Sequence, residues 1–251
     1  MQQLSIIHYL VKRIVLFLLF NLNNHKKMMK KITKILILIV FVAFATESFA
    51  QKFGLKAGLN FANMLNKNDY ITASDEYESK TGFQVGPIVE FRLTNLLSLE
   101  TGVLFSTKGF KTEDSGKLYG VNWETLSSYN LNYLDIPVYL RVGYNIGSVR
   151  VFGNIGPYIG IALSGKEKIE RTVDVATEID EYKIQIGSEK GEDNIKRTDF
   201  GLNIGISAAL KEYEIGLNYG LGLANLSPST DNGTEFKNRV FSITFAYKLS
   251  R

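Results

Sequence analysis

The chain has no cysteine and only two histidines and four prolines in 251 residues. Both histidines, His8 and His25, lie within the first 50 residues, which also contain no glycine or proline. Residues 51–251 therefore have neither histidine nor cysteine. This excludes disulfide bonds, catalysis by a thiol or an imidazole, and the usual zinc ligands from that part of the chain. We predict no cofactor and no metal site.

An excess of positive charge is also missing outside the N-terminal segment. The whole chain has a net charge of +4 and a pI near 9.0. Residues 1–50 contain seven Lys or Arg and one acidic residue, so residues 51–251 carry 22 basic and 24 acidic residues. The high pI is thus a property of the first segment, and the rest of the chain offers no electrostatic case for binding nucleic acid.

Residues 28–50 have the features of an export signal. Lys30, Lys31 and Lys34 precede an apolar run over 35–45, and a small-x-small motif follows at 48–50. An apolar run of 11 residues is much shorter than the roughly 20 that a transmembrane helix needs. We predict a signal peptide over 28–50 that is cleaved between Ala50 and Gln51.

Residues 1–27 are predicted to be an upstream extension that results from start-site assignment. They contain a second basic and then apolar stretch, Lys12 and Arg13 followed by 14–20. Because one export signal is sufficient, translation is expected to start at Met28 or Met29. The remaining residues, 51–251, are predicted to form one folded domain.

From residue 51 onward, apolar and polar residues alternate with a period of two, which is typical of β-strands. In residues 53–61, every odd residue is apolar and every even residue is Gly, Lys or Asn. The pattern occurs eight times, over 53–61, 83–93, 97–106, 133–143, 149–161, 199–210, 213–223 and 241–249.

Alternation alone also fits a soluble sandwich or a lipocalin-like barrel with its apolar face inward. Here, however, the second face combines glycine with charge and cannot form a close-packed apolar interior. The connections also alternate strictly between short and long. The short ones are 94–96, 145–147 and 211–212, and the long ones are 63–79, 109–128, 164–196 and 225–235.

Short periplasmic turns and long outer loops are the pattern of outer-membrane barrels. We therefore predict an all-β fold, an eight-stranded antiparallel up-and-down transmembrane β-barrel. The protein is expected to be integral to the outer membrane of a Gram-negative bacterium, with its long loops extracellular.

Placing the polar face inside predicts a charged lumen. Its basic residues are Lys56, Arg92, Arg141, Arg150 and Lys248, and its acidic residues are Glu90, Glu100, Asp135, Asp199 and Glu214. Because eight strands enclose only enough space for side chains, these ten residues are predicted to form a salt-bridge network that plugs the barrel. The alternatives are an ion or proton path, or a catalytic pair of carboxylates.

The long connection 164–196 contains six basic and nine acidic residues. Short alternations at 172–175 and 182–186 predict that it extends the fifth and sixth strands as a hairpin above the membrane. An envelope protein could dock on such a hairpin by edge pairing, whereas the alternative is a solvated loop.

Residues 131–141, LNYLDIPVYLR, resemble the Tyr-Leu-Asp/Glu-Ile-Pro-x-x-Leu/Phe-Lys/Arg strand of the PorT-like outer-membrane β-barrel proteins of Bacteroidota. Residues 153–160, 197–201 and 213–225 resemble later strands of the same family, so the resemblance covers essentially 51–249. It implies an eight-stranded outer-membrane barrel. Most members have no assigned activity, and the founding member is associated with type IX secretion and gliding.

The expected function is that of a non-enzymatic barrel, monomeric and surrounded by outer-membrane lipids, which acts as a scaffold, accessory or surface-interaction protein through its outer loops. One alternative is a narrow pore for small solutes. Another is a barrel enzyme that modifies lipid or peptide. Such enzymes resemble one another in using histidine with Ser or Asp, and residues 51–251 have no histidine.

Overall fold

The computed structural model describes residues 51–72 and 77–249. The predicted upstream extension over 1–27, the signal peptide over 28–50 and cleavage after Ala50 fall outside these residues and stay predictions. Within the described ranges, no helix is long and apolar enough to cross a membrane.

The described residues form ten β-strands and one turn of 3-10 helix, Asp231–Gly233. The strands are β1 (Gln51–Lys67), β2 (Tyr77–Arg92), β3 (Leu97–Gly102), β4 (Leu104–Leu118), β5 (Val121–Ile146), β6 (Val149–Val173), β7 (Ala176–Lys183), β8 (Thr198–Leu210), β9 (Tyr213–Gly222) and β10 (Glu235–Lys248). β3 and β4 are two parts of one strand that is interrupted at Val103, because both lie between β2 and β5.

Eight strands close into an antiparallel ring. Around the ring, β1 is followed by β2, the combined β3 and β4, β5, β6, β8, β9 and β10, and β10 pairs back with β1. Closure leaves no unpaired strand edge at the level where lipid offers no hydrogen-bond partners. The predicted eight-stranded barrel is confirmed.

The two faces of each strand meet different surroundings. Outward residues such as Leu55 and Ile215 are exposed by 64% and 60%, whereas inward Lys56 and Asn60 are buried. An apolar exterior around a polar interior is the arrangement of a barrel in lipid.

Aromatic side chains form contacts at both edges of the apolar exterior. Near the short turns, the ring of Tyr213 packs against those of Phe245 and Tyr247. Near the outer ends of the strands, Phe83 packs against Phe105 and Phe61 against Phe241. Such girdles mark the two membrane interfaces.

The prediction of a long loop over 109–128 is wrong. β4 and β5 continue through these residues, pair from Leu104 to Leu118, and reverse at Tyr119 and Gly120. Both turn residues have positive φ, 48° and 88°, as a two-residue hairpin turn requires. The hairpin was missed because its residues are mostly polar and lack an apolar face.

The connection 164–196 does form a hairpin, but its return strand differs from the predicted one. β6 runs to Val173, and β7 pairs back along it from Ala176 to Lys183. β7 is separate from the ring strand β8, and Ile186 forms only an isolated bridge with Ile195. The hairpin therefore extends β6 alone.

Candidate functional site

The part of the lumen nearest the short turns is filled by an ion cluster around Arg141. We call it the lower cluster, and it consists of Lys56, Glu90, Glu100, Arg141, Glu214 and Lys248. The six residues come from six different elements of the ring, so their contacts tie distant parts of the barrel wall together. Three cations face three carboxylates.

The guanidinium of Arg141 uses all five of its N–H donors. Nη1 donates to Glu90 and Glu100, both at 2.8 Å, and Nη2 donates to Glu214 at 2.7 Å. The remaining donors bind Asn154 and Ser207, each at 3.0 Å. The guanidinium also lies 3.9 Å from the centroid of the Phe152 ring. The side chain is 1% exposed, so the cluster supplies every partner that water would otherwise provide.

Lys248 completes the lower cluster. Its Nζ lies 2.6 Å from Glu90 and 2.7 Å from both Glu100 and Glu214, and Lys56 pairs with Glu100. Oxygens of the three carboxylates lie within 4.8 Å of one another, close enough to share a metal ion. Each carboxylate, however, already contacts both Arg141 and Lys248, and Lys56 pairs with Glu100, so three cations balance the three carboxylates without a metal.

A second ion cluster, the upper cluster, lies nearer the outer mouth. Lys108 Nζ lies 3.0 Å from Asp135 and 3.2 Å from Asp199. Asp199 also accepts hydrogen bonds from the Tyr158 hydroxyl at 3.1 Å and from the Asn238 amide at 2.9 Å. With one cation and two carboxylates, this cluster depends on a single ammonium group for its charge balance.

Lys108 was not predicted from the sequence. It is buried, and it belongs to the inward row formed by the even-numbered residues Ser98, Glu100 and Ser106 of β3 and β4. The predicted strand ended at residue 106. The same alternation, extended by two residues, reaches Lys108. The sequence therefore indicates an inward Lys108, and it was missed because the predicted strand ended too early.

Two glycines make room for the upper cluster. A Cβ atom on Gly160 would lie 2.5 Å from a carboxylate oxygen of Asp135, and one on Gly201 would lie 2.8 Å from the Tyr158 ring. Neither distance is compatible with ordinary contacts. The absence of side chains at these inward positions therefore allows the charged and aromatic groups to meet in a narrow barrel.

The structure brings eight of the ten predicted lumen residues into the two clusters and leaves Arg92 and Arg150 out. Arg92 is exposed at the end of β2. Arg150 donates to the backbone carbonyl of Asn95 and lies 5.2 Å from the Phe152 ring. Both arginines are close to a short turn, where the lumen opens to water and a charge needs no buried partner.

A small polar cavity of about 40 Å³ lies beside the upper cluster. Its walls include Asn60, Ser106, Lys108, Asp135 and Tyr139. Such a volume holds only a few water molecules. This cavity, formed by the described residues, is therefore too small for a dissolved molecule of metabolite size.

An apolar layer covers the outer mouth above the upper cluster. Leu131 and Phe110 of the barrel wall pack against the connecting residues Ile184, Ile195 and Leu226, all buried. Hydrogen bonds from Ile184 N–H to the Gly165 carbonyl (3.0 Å) and from Lys196 N–H to the Leu226 carbonyl (2.8 Å) hold the connections in place. This layer is hard to predict from the sequence, because its aliphatic residues occur singly in polar segments.

The outer ends of four strands form a sheet that projects beyond the ring. We call it the outer sheet, and it consists of 109–118 of β4, 121–132 of β5, 165–173 of β6, and β7. Among the described residues, β7 pairs only with β6, so its other edge has free backbone groups. Ile179 and Tyr182 of β7 are about half exposed. This edge lies within the segment 164–196, for which docking by edge pairing is predicted.

Comparisons with known proteins agree with a membrane barrel. A family model described as "Outer membrane protein beta-barrel domain" matches residues 49–231. No curated protein matches the chain. Three solved structures to which the chain is similar are described next.

The outer membrane protein OprG from Pseudomonas aeruginosa is 14% identical, over 81% of this chain and 98% of that chain, with a TM-score of 0.39. Neisserial surface protein A is 11% identical, over 78% of this chain and 97% of that chain, with a TM-score of 0.37. The third structure is Ail, the attachment invasion locus protein of Yersinia pestis, in complex with the heparin analogue sucrose octasulfate. It is 13% identical, over 79% of this chain and 99% of that chain, with a TM-score of 0.36.

Proposed function

Since the chain belongs to the outer membrane protein beta-barrel domain family and resides in the outer membrane of Gram-negative bacteria, we propose that it is a non-enzymatic accessory or surface-interaction protein that acts through its outer sheet. The free edge of β7 carries this proposal. An unpaired edge strand offers a row of N–H and C=O groups to a partner strand, and native proteins usually cover or blunt such an edge.

We expect replacement of residues 168–181 by Asn-Gly to abolish binding of an envelope partner while the barrel still assembles. Glu167 and Tyr182 face each other in the register of β6 and β7, so a two-residue turn can join them. The mouth residues Gly165 and Ile184 are retained. The measurement is cross-linking in native outer membranes followed by pull-down, with barrel assembly checked by heat-modifiable gel mobility.

The matched control removes an equal length from the neighbouring hairpin. Residues 113–126 are replaced by Asn-Gly between Thr112 and Ser127, which also face each other. This variant keeps the β7 edge and should recover the same partner as the unmodified protein. Recovery of no reproducible partner, or equal loss in both variants, would contradict an accessory role for the β7 edge.

We propose further that the chain is a PorT-like member of the family from Bacteroidota. The supporting observation is the strand motif at 131–141. Its Tyr133, Asp135 and Arg141 lie on the inward face of β5, where Asp135 pairs with Lys108 and Arg141 is the centre of the lower cluster. These three polar residues of the motif therefore point into the lumen, which supports a structural role for them.

The absence of enzymatic activity remains part of the proposal. The lumen carboxylates contact ammonium or guanidinium groups, so they are poorly placed to act as general bases. Residues 51–251 also contain no histidine for the pairing with Ser or Asp that barrel enzymes use.

The purified monomer is expected to give no steady conductance steps in a planar bilayer. Among the described residues, the two ion clusters occupy the lumen and the apolar layer covers its outer mouth, so we expect no continuous aqueous path for ions. A wide porin added to the same bilayer serves as the positive control. Stable steps that scale with salt concentration would support a narrow pore in place of a plug.

A further inference from the structure

A row of lysines lies on the outward-pointing face of the outer sheet, above the apolar exterior of the barrel. Tyr129 shows which face of the outer sheet points inward. Its ring stacks on that of Phe110 in the apolar layer, with 4.4 Å between the ring centroids. Because side chains alternate along a strand, Ser128 and Asn130 of β5 point to the opposite, outer face. Neighbouring residues in register with these two share that face.

The register places lysines on both sides of β5. Lys111 of β4 and Lys168 of β6 lie opposite Ser128, and Lys166 lies opposite Asn130. Two further lysines belong to the same surface. Lys183 of β7 faces Lys166, and Lys80 of β2 donates from Nζ to the Ser128 hydroxyl at 3.1 Å. We call Lys80, Lys111, Lys166, Lys168 and Lys183 the lysine row.

The lysine row lies at the height of lipid headgroups. Leu163 is half exposed and ends the apolar outward surface of this part of β6. Lys166 and Lys168 follow Leu163 by three and five residues, which is roughly 10 and 17 Å along the strand. Their distance from Leu163 along the membrane normal is smaller, because barrel strands are tilted. Flexible lysine side chains can reach down from there to the interface.

Three of the five lysines of the row form no ion pair with the described residues. Lys166 pairs with Glu181 at 3.3 Å and Lys168 with Glu170 at 2.8 Å. Within residues 51–72 and 77–249, Lys80, Lys111 and Lys183 form no ion pair, although Glu78 lies opposite Lys111 in the register. Partial burial and the charge of Lys111 lower the pKa of Lys80, as expected where like charges lack a counter-ion.

We propose that the lysine row binds the phosphate groups of the phosphorylated glycolipid of the outer leaflet. Several ammonium groups on one surface suit a phosphate. The apolar exterior directly below supplies contacts for the acyl chains of the same molecule, which a soluble polyanion would not use. This inference is independent of the proposed protein partner, since lipid binding needs no β7 edge pairing.

The test compares retention of bisphosphorylated lipid A by the detergent-solubilised barrel in native mass spectrometry. The variant Lys80→Gln/Lys111→Gln/Lys183→Gln removes the three unpaired ammonium groups and is expected to bind lipid A roughly 10- to 100-fold more weakly. Dephosphorylated lipid A should bind the unmodified protein and this variant equally and weakly. Heat-modifiable gel mobility checks that the three substitutions leave the barrel folded.

The matched control is Lys117→Gln/Lys190→Gln/Lys211→Gln, which changes the net charge by the same amount away from the row. Lys117 and Lys190 lie at exposed outer positions, and Lys211 lies at a short turn. The control should bind lipid A as the unmodified protein does. Equal loss in both variants, unchanged binding in the first, or strong binding of dephosphorylated lipid A would overturn the proposal. Equal competition by phosphatidylglycerol would overturn the choice of glycolipid.

Discussion

Replacing Arg141 with methionine is expected to lower the free energy of unfolding by about 3–5 kcal/mol, the usual cost of breaking a buried ionic network by removing one partner. The substitution leaves Glu90, Glu100 and Glu214 with too few cations, and it removes donors to Asn154 and Ser207. Methionine keeps much of the side-chain volume, so the effect is chiefly one of charge and hydrogen bonding. Urea unfolding in lipid vesicles, followed by circular dichroism, measures it.

Arg150 offers a matched control, because Arg150→Met makes the same chemical change near the short turns. Its guanidinium binds one backbone carbonyl, and no carboxylate of the described residues pairs with it, so a loss below about 1 kcal/mol is expected. Adding Glu90→Gln to Arg141→Met restores the charge balance and should recover part of the stability. Similar losses for Arg141→Met and Arg150→Met would show that the lower cluster does not stabilise the barrel.

Replacing Lys108 with methionine is expected to have an effect of similar size, about 3–5 kcal/mol, at the upper cluster. Lys108 is the one cation that the structure places between Asp135 and Asp199. Without it, two carboxylates face each other in a buried site, where like charges repel strongly. The same unfolding measurement applies.

A second substitution separates charge from packing in this experiment. Lys108→Met/Asp135→Asn removes one negative charge along with the ammonium, so the double variant should be more stable than Lys108→Met alone. The difference measures the coupling between the two groups. Lys117→Met, at an exposed position of β4, should change stability by less than about 0.5 kcal/mol. If Asp135→Asn brings no recovery, the loss comes from packing and the ionic account of the upper cluster is wrong.

The course of each transmembrane strand could be predicted because the alternation of faces is a local property of extended backbone. It predicts that Lys56, Glu100 and Arg141 share one face and that Leu55 and Ile215 lie on the other. In the structure the first three are buried and the last two are exposed. The strand ends were less predictable. The apolar pattern stops where the strands leave the lipid, but backbone pairing continues through polar residues, as it does over 109–128.

The partners of the lumen charges could not be predicted in the same way. Lys248 meets Glu90 across 158 positions of sequence, and Asp199 meets Lys108 across 91. Such contacts depend on the register between all eight strands, which fixes the height of each side chain in the barrel. The sequence also could not separate Arg92 and Arg150 from the buried charges, because their exposure depends on where the lumen opens to water.

By itself, the sequence determined the class of the protein. Eight alternating strands, with glycine and charge on the second face and with short and long connections in alternation, favour a closed barrel in lipid, because the side-chain pattern of each strand decides which face meets the membrane. Tertiary structure alone decided how the interior charges group into two clusters, which isolated aliphatic residues cover the mouth, and that β7, among the described residues, pairs on one side only. These features arise between segments distant in sequence, where closure and register, rather than local pattern, set the contacts.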